Sequence, residues 1–571
     1  MHDRTPFLRT SLLAATCLAV AGSPAAAQDN GSDFDISTQI GPDPVLPDPA
    51  QSLLPSLKVA EVIGWQDGQT PTVPEGLTIT AYATDLANPR TVHTLPNGDV
   101  LVVQSRGPSG EPQNRPKDII RGWIMSIAHG GGGGEQKPSN IVTLLRDTDR
   151  DGKVDDRHDL LTGLNSPFGV AWADGTLYVA ATDAILAYPY ELGQTEITAE
   201  PTVLTPLPGG PIDHHWTKDL ALSPDGRYLY ASVGSNSNIV ENGLEAEKGR
   251  AAIWQVDRQT GASRVFASGL RNPNGLTFHP ETGELYTVVN ERDELGPNLV
   301  PDYMTSVKDG AFYGWPWSYY GQHVDPRVRP QRPDMVEKAI PPDYALSSHV
   351  AALGLTFSYE AAGSALPDEY AHGAFIGEHG SWNRSFFNGY HVVYVPFENG
   401  KPSGKAEEVV GGFLDGDQAH GRPVGVGIDG TGALLVADDA GNTVWRVAAS
   451  NGTVSPQPVG TDGQQMQGAA AGGGSADTAG EAGDAAAGSA NAGAEGPGVA
   501  TPAGGEATPT EPQSNGGSQA PAASIDEQLT GEEPVARPSG DTPDPSQTEV
   551  APATLPQGSG ETGTTAPNGP Q

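Results

Sequence analysis

Along the middle of this chain, short apolar runs alternate with polar turns, and one phrase of strand, polar turn and strand recurs six times between Asn88 and Val447. Asn88 to Val103 reads NPRTVHTLPNGDVLVV, Ser166 to Ala181 SPFGVAWADGTLYVAA, and Trp216 to Ser232 WTKDLALSPDGRYLYAS. Asn272 to Val289 reads NPNGLTFHPETGELYTVV, Ala352 to Glu378 is a stretched version containing LGLTF and GAFIGE, and Arg422 to Asp438 reads RPVGVGIDGTGALLVAD. Most copies alternate apolar and polar residues around an Asp-Gly or Asn-Gly turn, which is a hairpin pattern. A unit of this size cannot bury its own apolar face and must stack on its neighbours. The expected fold is all-β, a six-bladed β-propeller. Spacing between copies is wide and uneven, so long loops are inserted between strands, where chemistry tends to reside.

The two ends read differently. Arg4 and Arg9 precede an apolar run from Leu12 to Ala21 and a small-residue stretch, Ala25 to Ala27, which is the pattern of a secretory signal peptide over residues 1–27. Cys17, the one cysteine, falls within it, so the exported chain is expected to have neither a disulfide nor a CxxCH haem attachment. Outside that segment no apolar stretch reaches the roughly 18 residues that cross a bilayer, which predicts a periplasmic or secreted protein with no membrane span. Residues 28–72, rich in Pro and Asp, read as an extended leader, and 73–449 as the propeller domain. Residues 450–571 are Gly, Ala, Pro, Ser, Thr and acids with a single basic residue, Arg537, and no aromatic side chain. Such a composition buries too little apolar surface to offset its ordering entropy, so a disordered acidic tail is expected. The formal net charge of −38 argues against nucleic acid as a partner.

Polar clusters flank the expected blade strands. Asp213-His214-His215-Trp216 leads into the third copy, and Arg271-Asn272 opens the fourth. Then follow Asn290-Glu291-Arg292-Asp293, Tyr313-Gly314-Trp315-Pro316, Glu378-His379-Gly380-Ser381-Trp382-Asn383-Arg384 and His420-Gly421-Arg422. Adjacent histidines on an extended segment point to opposite sides, so one of the pair faces the centre of a propeller. The inventory comprises a general base (His215), guanidiniums for an anion (Arg271, Arg384, Arg422), oxygen ligands for a hard cation (Glu291, Asp293) and flat aromatics (Trp216, Trp315, Trp382). That set suits a planar, polyanionic, metal-chelating cofactor. Each residue alone also has a plainer reading, as a surface charge, an interblade salt bridge or a packed turn.

The order of HHWTKDLALSPDGRYLYASVGSNSN, GLRNPNGLTFHPETGELYTVVNERDELG, YGWP, SSHVAALGLTF, GEHGSWNRS and GRPVGVGIDGTGALLVADD resembles the L-sorbosone dehydrogenase and soluble glucose (aldose) dehydrogenase family. The resemblance runs from about Gly76 to Val447 and implies a pyrroloquinoline quinone (PQQ) enzyme on a six-bladed propeller. It implies that His215 takes the proton from the sugar hydroxyl while hydride passes to the quinone. Arg271 would contact the quinone oxygen with Asn272 beside it, and Arg422 and Arg384 would hold the cofactor carboxylates, with Trp382 and His420 alongside. The Glu291-Arg292-Asp293 turn would bind calcium, largely through backbone carbonyls, as a Lewis acid on the quinone. Three departures from the glucose enzymes stand out. His420 occupies the place of a second carboxylate-binding arginine, no lysine lies near Ser381 to Arg384, and Ser235 or Asn236 replaces the aspartate beside the base.

A separate motif is Asp147-Thr148-Asp149-Arg150-Asp151-Gly152-Lys153-Val154-Asp155, the D-x-D-x-D-G pattern of a calcium loop, with His158 where an EF-hand would carry its bidentate Glu. A structural calcium is expected there, through Asp147, Asp149, Asp151, Lys153 and Asp155; a solvated acidic loop is the competing reading. The leading expectation for the whole chain is a PQQ- and calcium-dependent sugar dehydrogenase passing electrons to an external acceptor, a cytochrome or quinone. Two alternatives are a calcium-dependent propeller lactonase and a non-catalytic glycan-binding propeller. A lactonase has no need of several cations around a tricarboxylate.

Overall fold

Alternating patterns of this kind fold as meanders, and six antiparallel sheets of four or five strands are present among the described residues. The computed structural model describes residues 34–51, 57–108, 139–358 and 365–451. The signal-peptide segment and nearly all of the acidic tail lie outside these residues. In chain order the first strands of the sheets are Pro89–Thr94, Val170–Ala173, Leu220–Leu222, Pro273–Phe278, Ala352–Ser358 and Pro423–Ile428. Each pairs with the next strand in sequence, so all six hairpins expected from the repeats are present. The sixth sheet is completed out of order. Its fourth strand is Leu77–Ala83, which pairs with Thr443–Ala449 and joins the two ends of the domain. Helix is scarce among the described residues, where one six-residue α-helix, Pro333–Lys338, accompanies short 3-10 turns.

The apolar residues of each strand pack between sheets, with Leu101, Val103, Leu177 and Val179 joining the first two and Phe375, Val392, Leu434 and Val436 the last two. Close approach of the first strands depends on glycine. A side chain at Gly169 would collide with the backbone of Leu220, and one at Gly354 with the Val424 carbonyl. Register shifts occur at the start of four first strands, between Pro89 and Thr91, Asn274 and Thr277, Ala352 and Gly354, and Pro423 and Val426. Bulges of this type bend a strand and re-aim its side chains, and here they lie beside the polar clusters of the sequence. A cavity is lined by residues of all six first strands, including Arg90, Val170, Leu220, Leu276, Leu355 and Val426.

The leader is not a free extension. Ile40–Gly41 adds a strand to the fourth sheet against Tyr344–Ser348. Further on, Glu61–Val62 runs parallel to Gln418–Ala419, and Thr72 bridges Gly411. Among the described residues no helix is long and apolar enough to cross a membrane.

Candidate functional site

The polar clusters lie at the entrances to the first strands, and they form two stations of contrasting character. The first surrounds His215. Its Nδ1 is 2.8 Å from the Ser235 carbonyl and 3.1 Å from the Ser235 hydroxyl. A carbonyl only accepts, so Nδ1 carries the proton and the lone pair of the neutral ring lies on Nε2. Arg250, almost wholly buried, fixes the same segment by donating to the Gly234 carbonyl at 3.1 Å and to Asp213 Oδ1 at 2.8 Å. Gly234 brings base and neighbour together, because a Cβ there would collide with both Asn272 Oδ1 and His215 Cβ. Asn272 Oδ1 is buried and accepts no hydrogen bond. A buried acceptor left unpaired costs roughly 1–3 kcal/mol, which points to a donor supplied by a ligand.

Behind this station lies a network that the sequence reading missed. Asn238 accepts on its side-chain oxygen from Arg271 Nη2 (3.0 Å) and from the Asp293 amide (2.8 Å), and its carbonyl accepts from Trp315 Nε1 (3.0 Å). Arg271 is 3% exposed and donates to the carbonyls of Asn238, Asn290 and Glu291, with Asp293 Oδ2 at 3.7 Å. Four of its five N–H groups donate to Asn238, Asn290 and Glu291, so Arg271 braces two loops beside His215. Trp315 is likewise buried, a bracing side chain and not a ring wall. The five-residue run Gly234-Ser-Asn-Ser-Asn238 was the available signal for this network, since consecutive short polar residues after a strand commonly bind backbone. Glu247 holds that run from the other side. It accepts from the Asn236 amide at 2.7 Å and from the Ser237 hydroxyl, and burial pushes its carboxyl up to about 7 despite those bonds.

The expected calcium turn is a correction. Arg271 Nη1 donates to the Glu291 carbonyl at 2.8 Å, and Arg327 Nη1 to the Asp293 carbonyl at 2.9 Å. Arg292, fully buried, binds the Glu291 carboxylate at 2.9 Å, Asp325 at 3.3 Å and the carbonyls of Pro316 and Ser318. Three guanidiniums face three carboxylates, Glu291, Asp293 and Asp325, so the charge balances without a metal. A calcium ion on these carbonyls would lie against two guanidiniums, and the residues present do not fit one. Asp293 Oδ1 instead accepts from Asn383 at 2.5 Å and lies 3.5 Å from His349 Nδ1.

The second station lies across the entrances to the fifth, sixth and first sheets. Asp439 binds Arg90 Nη1 with one oxygen and His379 Nε2, at 2.9 Å, with the other. Burial would raise this carboxyl, but His379, Arg90 and Arg422 together hold it well below the usual carboxylate range. His379 is held down to about 4 by burial and by the adjacent Arg422 charge, so it is neutral at ordinary pH. Arg422 donates through Nε to the His379 carbonyl and through Nη2 to the Gly380 carbonyl, both at 3.0 Å. Arg90 lies 5.8 Å from the centre of the Trp216 ring, its Nε is buried without an acceptor, and it lines the central cavity. Two guanidiniums with one carboxylate and a neutral imidazole leave one positive charge in excess, which is the electrostatics of an anion site. Arg90, His379 and Asp439 were not singled out from sequence, although all three lie within quoted stretches.

Three further candidates fall elsewhere. Arg384 is fully buried, donates to the Ser348 carbonyl and Asn298 Oδ1, both at 2.7 Å, and its Nε has no acceptor; burial lowers it to about 10. It is an internal cross-tie and not an open cation. His420 is covered by the leader, stacked on Trp65 with 5.1 Å between ring centres and bonded through Nδ1 to the Gly64 carbonyl at 3.1 Å. Its ring is thereby engaged by the leader rather than by Arg422 and Asp439. Trp382 is half-buried, and its carbonyl accepts from the Lys58 amide of the leader.

Far from both stations along the chain, carboxylate oxygens of Asp147, Asp149 and Asp151 lie within 4.8 Å of one another. Gly152 takes the left-handed conformation, φ 84°, that the loop requires, and its amide donates to Asp147 Oδ2 at 2.8 Å. Burial raises the Asp147 carboxyl. Asp155 turns inward onto Thr148, and Lys153 pairs with Asp151 at 2.6 Å, so the group nearest a ligating arrangement is the three aspartates.

Comparison with known proteins bears on the family and the fold. A family model described as TrAA12-like matches residues 137–305 and 330–450. An uncharacterized protein of Borreliella burgdorferi is 29% identical over 295 residues, 50% of this chain and 76% of that one. Among solved structures, a Trichoderma reesei carbohydrate-active enzyme of family AA12 has a TM-score of 0.53 at 18% identity, over 69% of this chain and 99% of that one, and the same enzyme is also described in a calcium structure. The holo form of the PQQ domain of a Coprinopsis cinerea pyranose dehydrogenase has a TM-score of 0.52 at 18% identity, over 67% and 98% of the two chains. At this identity the solved structures establish a shared fold.

Proposed function

The chain belongs to the TrAA12-like family, and from that membership we propose that it is a quinoprotein dehydrogenase oxidising an aldose or sorbosone-like sugar, with electrons passed to an external acceptor. We read its six sheets as the blades of a closed propeller, a reading supported by the single cavity that all six first strands line. The observation that carries the functional proposal is the pairing of the two stations. One is a neutral imidazole with its lone pair directed by the Ser235 carbonyl, and the other is a buried cluster with excess positive charge. A planar tricarboxylate fits the second station, where Arg90 Nε lacks an acceptor and the Trp216 ring lies beside the guanidinium.

In this reading PQQ, when bound, supplies the hydride acceptor for the oxidised carbon. Everything else belongs to the chain. His215 receives the hydroxyl proton at Nε2 and stabilises that step by general-base catalysis, an effect typically of 10²–10⁴-fold. Ser235 keeps the tautomer, and Asn272 offers its unpaired oxygen to a hydroxyl donor. Arg90 and Arg422 hold carboxylates, with Asp439 fixing the orientation of Arg90 and of His379 behind Arg422. Calcium is assigned to the Asp147, Asp149 and Asp151 loop, where it would be structural; the holding of a metal by the 291–293 turn is not part of the proposal.

The test is a titration of the purified protein with PQQ, followed by absorbance, and dye reduction with a panel of aldoses. Stoichiometric uptake with sugar-dependent reduction is the expected result. Absence of uptake would overturn the proposal and favour a glycan-binding role for the same fold.

A further inference from the structure

The leader lies wholly outside the stretches matched by the family model, yet its described residues, 34–51 and 57–72, are laced along the site-side loops of three sheets. Gln39, fully buried, donates to the Asn298 carbonyl at 2.5 Å and accepts from the Ser348 amide and hydroxyl at 3.1 and 2.8 Å. The Ala50 amide donates to the Leu295 carbonyl, the Lys58 amide to the Trp382 carbonyl and the Ile63 amide to the Ala419 carbonyl. Two residues later Trp65 inserts its ring against His420, Phe413 and Trp445.

What the indole nitrogen does there is more specific than packing. Trp65 Nε1 donates to Asp438 Oδ2 at 2.7 Å, and Trp445 Nε1 donates to the same oxygen at 3.1 Å. The other oxygen, Asp438 Oδ1, accepts from the backbone amides of Arg422 and Gly441, both at 2.7 Å. Asp438 is fully buried and has no cation among these partners. Four N–H donors therefore replace the water that a carboxylate would otherwise need. Packing at the Arg422 end is tight, because a Cβ at Gly421 would collide with this carboxylate. The carboxylate is thus a rigid link with the leader on one oxygen and the backbone that presents the Arg422 guanidinium on the other.

We infer that Trp65 is a positioning residue for the anion-binding station: through Asp438 it fixes the backbone of Arg422, so that the leader is a working part of the cofactor site. The inference rests on the PQQ reading above. With the indole N–H removed, Asp438 Oδ2 retains only the longer bond from Trp445, and the carboxylate is free to pivot away from Arg422. Loss of one hydrogen bond to a charged group sets the scale of the expected effect at roughly tenfold or more in cofactor affinity.

The experiment compares full-length wild type, Trp65→Phe and Lys58→Ala by PQQ titration, apoprotein melting and turnover at saturating PQQ. Lys58→Ala removes another leader anchor, the 2.7 Å pair with Asp417, without touching Asp438. We expect Trp65→Phe to weaken PQQ binding about tenfold while melting within a few degrees of wild type and keeping its turnover once saturated. Lys58→Ala is expected to bind as wild type does. By the reciprocity of linked equilibria, PQQ must in turn protect the leader, so hydrogen exchange of wild-type peptides covering residues 59–72 should slow on loading. That measurement decides the matter if Trp65→Phe does not fold. Wild type that binds PQQ, with Trp65→Phe equal to it in affinity or with no added protection of the leader, overturns the inference alone. Wild type that binds no PQQ overturns the functional reading and this inference with it.

Discussion

The two stations of the site differ in what holds their histidines. His215 is held by a neutral carbonyl and His379 by an ionised carboxylate flanked by two arginines. The first arrangement fixes a tautomer without adding charge. In the second, burial and the Arg422 charge keep the ring neutral down to about 4, and the surplus charge is left to the guanidiniums. In the proposed reading the same side chain is a base at one place and a spacer at the other. Motif alone cannot separate them, since both histidines stand just before a tryptophan-bearing segment in the sequence.

The largest effect should come from His215→Ala, which is expected to lower turnover by about 10²–10⁴-fold while PQQ uptake stays within a factor of three of wild type. Equal loss of uptake would erase the distinction between the stations. Next, Asp439→Asn removes the partner shared by Arg90 and His379, and Arg422→Ala removes a cation. Each should weaken uptake by roughly 10–100-fold, read by titration, with little change in turnover of the saturated protein. If either instead abolished turnover with uptake intact, the anion-site assignment would be wrong.

A smaller effect sharpens the base side. Glu247 has its carboxyl raised to about 7 by burial, above the unfolded value. Its favourable contribution is therefore fully present below about 4.5 and is lost as pH rises through 7. Glu247→Gln should accordingly gain on wild type in melting temperature between those two pH values, while a parallel pair of curves would contradict the raised value. Smallest of all, chelation of calcium is expected to lower the melting temperature by a few degrees, through the Asp147, Asp149 and Asp151 loop. Asp149→Asn should abolish that difference without altering uptake at either station.

Much of the framework was legible in the sequence because hairpins are local. All six repeats became the first two strands of a sheet, and the segment after the third copy did supply the partner of His215 in Ser235. Long-range partners were not legible. Arg90 reads as an ordinary residue at a strand start until Asp439, 349 positions away, is brought against it. His420 stands in the expected place of an arginine, but nothing in its neighbourhood announces that Trp65 will lie over it. The guanidiniums at 271 and 384 stand in polar clusters of the sequence, yet whether an arginine meets a ligand or a carbonyl is decided by loops whose course the pattern does not specify.

The sixth sheet gives that arrangement a temporal side. Leu77–Ala83 pairs with Thr443–Ala449, and Thr78 reaches the Ala448 carbonyl across 370 residues. A ribosome therefore delivers the outermost strand of this sheet long before its partners. The carboxylates Asp438 and Asp439, on which the arginines depend, arrive among the final residues of the domain. Non-local pairing of this kind slows folding. In the proposed reading it also means that a nascent or truncated chain has its proton acceptor in place before it has anywhere to keep a cofactor, so capture of the cofactor would report completion of the domain.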